Sequence, residues 1–103
     1  MVTETNYPTT IWKFNLEITD EQVLEMPVGS RLLKVDMQQE VPCLWAAVNP
    51  EAQKQPVKIR VIGTGHQIPD YKYLTHIDTF QMAGGSLVWH VFQKSEAAKP
   101  FQE

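Results

Sequence analysis

The sequence predicts a mainly β protein, a compact antiparallel sandwich or partly open barrel of about six strands. Three observations carry that expectation. Apolar and polar residues alternate along several segments, turn formers separate those segments about every 8–14 residues, and a proline cuts short the one segment with a helix-start signature. Residues 1–9 read as a flexible polar arm, residues 10–94 as a single β-domain and residues 95–103 as a flexible polar tail.

The first strand follows from Trp12, Phe14, Leu16 and Ile18 alternating with Lys13, Asn15, Glu17 and Thr19, the period of a half-buried strand. Thr19-Asp20-Glu21-Gln22 has the form of a capping box. Pro27 leaves barely two turns after it, so at most one short helix is expected near residues 20–26, with an extended Gln22–Met26 the equal alternative. Pro27-Val28-Gly29-Ser30 predicts a turn. Along Arg31–Gln38, Leu33, Val35 and Met37 oppose Leu32, Lys34 and Asp36. Val41–Val48 is almost wholly apolar, which predicts a central strand covered on both faces, ended by Asn49-Pro50. An exposed loop should follow over residues 50–56. Val57–Ile62 alternates with Lys58 and Arg60 outward, and Gly63–Tyr71 reads as a loop. Tyr73–Met82 and Leu87–Gln93 should pair around Ala83-Gly84-Gly85-Ser86, placing His90 opposite Thr79 and His76 opposite Gln93.

Composition narrows the function classes. The chain has 103 residues, 43% apolar and 20% charged, with a net charge of −3. That is one folded domain, without the basic stripe that generic nucleic-acid binding requires. Cys43 is the only cysteine, so no intrachain disulfide forms, and its apolar neighbours suit a buried small side chain. No apolar run approaches a membrane span and the first ten residues carry no signal-peptide pattern, so a cytoplasmic protein is expected.

Gly63-Thr64-Gly65-His66 follows a strand, as phosphate-cradling loops do, but it lacks the third glycine and the Lys-Ser/Thr of a nucleotide motif. It reads first as a glycine turn and second as a ligand-contacting loop. His66, His76 and His90 lack zinc-ligand spacing. Asp78 is placed to orient His76 or His90, yet no nucleophile stands beside them, and Glu17, Glu21 and Glu25 look like solvated surface charges. The expectation is therefore a non-enzymatic protein with no catalytic residue, no metal and no cofactor. Trp12, Phe14, Trp45, Tyr71, Tyr73, Phe80, Trp89 and Phe92 are many rings for a small domain. Most should build the core. Both faces of Leu87–Gln93 are apolar, which suggests a central strand or an interface, with self-association or a protein partner on one edge.

Several runs together resemble a family of short proteins encoded by phages and prophages, of unknown function. They are Thr10-Ile11-Trp12-Lys13-Phe14, Thr19-Asp20-Glu21-Gln22, Met26-Pro27-Val28-Gly29, Pro42-Cys43-Leu44-Trp45-Ala46, Gly63-Thr64-Gly65-His66 and Gly84-Gly85-Ser86-Leu87-Val88-Trp89-His90-Val91-Phe92, spanning about residues 9–93. Members usually place a proline directly after Gly-Thr-Gly-His, where this chain has Gln67-Ile68-Pro69. The resemblance implies a viral accessory protein in a bacterial host cytoplasm and transfers no catalytic role.

The leading expectation is thus an accessory protein that binds a host or phage macromolecule, a mode that includes countering host defence. One alternative is binding or sequestering a small nucleotide-type signal, with Arg60 meeting a phosphate beside the glycine loop; a second is a virion structural role. The candidate binding residues are Arg60, Gly63, Thr64, Gly65, His66, Tyr71, Trp89 and His90.

Overall fold

Alternation of apolar residues is realised as seven strands in a computed structural model that describes residues 7–95. The strands are β1 (Thr10–Asn15), β2 (Gln22–Pro27), β3 (Arg31–Gln38), β4 (Val41–Val48), β5 (Lys54–Gly63), β6 (Leu74–Met82) and β7 (Leu87–Lys94), with 3₁₀ turns at Tyr71–Tyr73 and Ala83–Gly85. They form two antiparallel sheets, one of order β1-β4-β3 and one of order β2-β5-β7-β6. The sheets do not close into a barrel.

Apolar residues from both inner faces make one core. Leu44, Ala46 and Val48 of β4 meet Val57, Ile59 and Val61 of β5 and Val91 of β7, with Met26, Val35 and Phe80 completing it. Trp12, Phe14 and Trp89 pack against its margin. Burying such side chains is the main favourable term in a domain this small.

The seventh strand is the segment whose conformation the sequence left open. Residues 22–27 are extended as β2, paired with β5 from Gln22↔Ile59 to Pro27↔Lys54, and no helix forms at residues 20–26. Gln22 does not close a capping box. Its amide donates to Glu17 O at 2.7 Å and accepts from Glu17 N at 3.0 Å, so the side chain pins the β1–β2 connection as a strand partner would.

Strict alternation also fails in β3. A bulge between Leu32 and Lys34 inserts Leu33, which is 50% exposed, and returns Leu32 to the core side with Val35 and Met37. A second bulge between His76 and Asp78 inserts Ile77 into β6. Thr79↔His90 pair as the turn predicts, but upstream of that bulge the register shifts by one, so Thr75 faces Gln93 and His76 faces Phe92. Here β6 runs against β3, and Asp78 accepts from Val35 N at 2.9 Å, tying the edges of the two sheets together.

β4 is central in its sheet but covered on one face only. Its inner residues are buried, whereas Trp45 and Ala47 on the outer face are half-buried and Val41 is exposed. Cys43 also lies on the outer face and is nevertheless buried, beside Asn15 and beneath a Lys13–Gln38 hydrogen bond that links the strands flanking β4.

The predicted turns are present. Ser30 N donates to Pro27 O with Gly29 at φ 85°, and Glu51 N donates to the Asn49 side chain. The expected flexible arm and tail fall mainly on residues 1–6 and 96–103, outside the described residues. Thr9 N already donates to Val48 O and Ser95 N to Tyr73 O.

The β3–β4 hairpin is one the sequence does not advertise. Gln39 and Glu40 sit at φ 52° and 70°, two left-handed residues in succession, with neither Asn nor Gly. Such a turn matches the twist of the strands but is disfavoured for side chains bearing a Cβ. Replacing the pair with Asn-Gly is expected to stabilise the domain by about 1 kcal/mol, read as a higher urea midpoint with an unchanged m value.

Candidate functional site

The loop after β5 folds over the outer face of the four-stranded sheet, and most of the candidate residues gather there. Gly63-Thr64-Gly65-His66 is a β-turn: His66 N donates to Gly63 O at 3.2 Å, and Gly65 adopts φ 94°, which favours glycine. Thr64 N donates to Val88 O. Two amides of the Gly-Thr-Gly-His run are therefore spent on backbone carbonyls. Gly63 has a different task. A Cβ there would lie 3.2 Å from the Trp89 ring, so its bare backbone lets that ring close on it, with the His66 ring at ordinary contact distance beside it.

Beyond the turn the chain is strapped down. Asp70 accepts from the Arg60 guanidinium and lies 3.4 Å from Lys94 Nζ, while Arg60 Nε donates to Asp20 O at 2.7 Å. Arg60 and Asp70 side chains are only 12% and 19% exposed. Burial pushes the Asp70 carboxyl up, but hydrogen bonds from Arg60, the Asp70 backbone and Lys94, with the Arg60 charge, outweigh it and hold the group below its ordinary value. Arg60 is thus already paired, and it would have to release Asp70 to meet a phosphate.

Next to this pair, Tyr71 sets its ring edge-on to Phe92, with centroids 6.0 Å apart, and His76 contacts the same ring at 5.3 Å. Phe92 and Ile62 are buried beneath the loop on the outer face of the sheet, while Tyr71 remains 58% exposed. This explains why β7 is apolar on both faces: one side faces the core and the other faces the strap.

A polar chain runs across the same face. Thr64 Oγ1 lies 2.7 Å from His90 Nε2, Thr79 Oγ1 lies 3.1 Å from His90 Nδ1, and His76 Nε2 lies 3.0 Å from Thr79 Oγ1. Both nitrogens of His90 are engaged, which fixes its ring plane. The Thr64–His90 distance is within reach for proton transfer. Asp78, however, pairs across β7 with core-facing Val91 and gives its carboxylate to Val35 N and Thr79 N, so it orients neither histidine as the sequence suggested.

On the core side of the same strand ends, Ile18, Thr19, Asp20, Val61, His66 and Trp89 line a cleft of about 200 Å³. It opens where β5 runs on past the start of β2. Its polar groups are a carboxylate, a hydroxyl and an imidazole. The volume is below the ≈ 300 Å³ at which drug-sized ligand sites begin. No group of three or more His, Cys, Asp or Glu residues suited to a metal occurs among the described residues.

The structure therefore brings together Gly63, Thr64, Gly65, His66, Trp89 and His90 at one end of β5 and β7, and places Arg60 and Tyr71 further along the strap. Sequence reasoning missed Asp70, Lys94 and Thr79 as members of this face. The Thr79 signal was available in the hairpin register, whereas nothing local marks Asp70 as the partner of Arg60. No helix among the described residues is long and apolar enough to cross a membrane.

Fold and face together define a two-sheet β-domain with a strapped loop. The chain belongs to the family described as a domain of unknown function, DUF7352, whose model matches residues 8–102. No curated protein matches the chain. No solved structure matches it either.

Proposed function

We propose that this chain is a non-enzymatic, phage-type accessory protein that acts in a bacterial cytoplasm by binding a host or phage macromolecule through the strapped loop face. The observation that carries the reading is Tyr71, exposed by 58% yet held edge-on against buried Phe92 beside the Asp70–Arg60–Lys94 cluster. An aromatic ring that is exposed and already ordered loses little conformational freedom when a partner covers it. Thr64 extends the same exposed rim, and the resemblance of the motifs to phage proteins supports the viral setting.

A test is affinity capture from infected host lysate with the wild type and with Tyr71→Ala. A partner retained by the wild type and lost at least tenfold in Tyr71→Ala supports the reading, since truncating an anchor typically costs about 2 kcal/mol or more. Recovery of nothing above background, or equal recovery by both, removes it.

A further inference from the structure

We infer that the protein associates with itself head to tail, the acidic β1–β2 strip of one copy docking on the basic outer face of β1-β4-β3 of the next. Among the described residues no strand covers that outer face. Half-buried Trp45 lies at its middle, with Lys13 on β1 and Lys34 on β3 directly across from it. Ile11 and Leu33 are 61% and 50% exposed beside it, and Arg31 lies at the end of β3. Asp36, 3.8 Å from Lys34, is the opposing charge on this face. An aromatic centre inside a charged rim is the composition of a protein interface.

A surface of matching character exists on the same chain. Glu17, Asp20, Glu21 and Glu25 are exposed along the β1–β2 connection and β2, and the exposed apolar side chains Ile18 and Val23 alternate among them. β2 is also a free sheet edge. Lys58 stands across from Val23, on the inboard side of the strip. The charges choose the geometry. Two basic faces repel each other, as do two acidic strips, so like surfaces do not pair and the face-to-strip contact is the attractive one. Because that contact is heterologous, each copy retains a free face and a free strip, and assembly continues into a ring or an open chain.

Size sets the strength. Three strands at about 4.8 Å spacing and six residues at about 3.3 Å give a patch of roughly 300 Å². A standard interface uses about 800 Å² per partner, so the association is weak and depends on concentration and salt. It is independent of the Tyr71 surface, and its test needs no partner.

Sedimentation velocity on the purified chain, from about 10 μM to 1 mM in low salt and again near 0.5 M salt, reads it directly. Expected is a weight-average mass that grows with concentration in low salt and falls to the monomer in high salt. Two exposed charge reversals then test the geometry. Lys13→Glu with Lys34→Glu makes the face acidic, and Glu21→Lys with Glu25→Lys makes the strip basic. Each double variant alone should associate at least tenfold more weakly than the wild type. An equimolar mixture should regain association, because each reversed surface then meets its complement. Circular dichroism melts confirm that both variants are folded. A wild type monomeric throughout, a dimer indifferent to the strip reversal, or a mixture that stays monomeric would each overturn the inference.

Discussion

Replacing Leu44 with alanine is expected to lower the stability of the domain by about 3 kcal/mol. Leu44 has no exposed surface, and it sits in the middle of β4 with Phe14 of β1 and Val35 of β3 beside it. It faces the buried residues of the second sheet across the core. Both of its sheet neighbours are held by ladders on the two sides of β4, so the backbone has little freedom to close the cavity. For a domain of this size each kcal/mol is worth about 4–8 °C, and a fall of roughly 12–24 °C in Tm is the expected reading. The control is Val41→Ala on the same strand, where the side chain is 39% exposed and points to the outer face; there the fall should be a few degrees at most. Equal losses at the two positions would mean that the inner face of β4 is not the centre of the core.

That contrast within β4 marks how far the sequence could be read. A continuous apolar run states that the strand is central, and it is. It does not state how many faces are covered, because small residues such as Cys43 and Ala47 are satisfied by neighbouring side chains alone. Leu33 and Ile77 show a second limit. Alternation assigns faces only while two residues advance the chain by one full pleat, and each bulge spends an extra residue. The apolar character of Leu33 was visible, but its outward direction was set by pairing with β4. The capping box at Thr19 shows a third. The Gln22 side-chain amide has a donor and an acceptor to satisfy, and pairing with Glu17 across five residues competes successfully with a two-turn helix that Pro27 would have ended.

The site was legible in its glycines and less so in its charges. Gly63 and Gly65 do what their position after a strand suggests, one admitting the Trp89 ring and the other taking a positive φ. The hairpin register correctly set His90 across from Thr79, which is the central link of the polar chain. Alternation along β5 turns Arg60 outward and names no partner for it. Its partners are Asp70, ten residues on, and the Asp20 carbonyl, forty residues back. Pairings of that kind arise from the way the loop folds back, and no local pattern encodes them.

The Asp70 latch gives the second large effect. Asp70→Asn keeps the shape of the side chain and removes its charge, leaving Arg60 nearly buried with only a neutral acceptor and the Asp20 carbonyl. Removing one member of a fully buried ion pair costs about 3–5 kcal/mol; with side chains still 12% and 19% exposed, about 2–3 kcal/mol is expected near neutral pH. The pH dependence has a definite sign. The Asp70 carboxyl is held below its ordinary value in the folded protein, so its contribution is complete above the unfolded value of about 3.9 and disappears as pH falls through the folded value. The stability gap between wild type and Asp70→Asn should therefore be constant from about pH 5 upward and narrow below about pH 4. Urea titrations at several pH values measure that gap. Hydrogen exchange locates it: amides of residues 67–72 should lose protection in the variant before those of β4 and β5 do, because this part of the strap is held to the sheet chiefly by the Asp70 ion pairs and the Tyr71–Phe92 contact, whereas the strands share the common core. A gap that stays constant down to pH 2 would mean that the charge of Asp70 does not hold the strap. The same variant bears on binding, for Tyr71 follows Asp70 directly and depends on the strap for its fixed position against Phe92. Loosening the latch should weaken partner capture even though the Tyr71 ring is still present, which separates preorganisation of the ring from mere exposure of it.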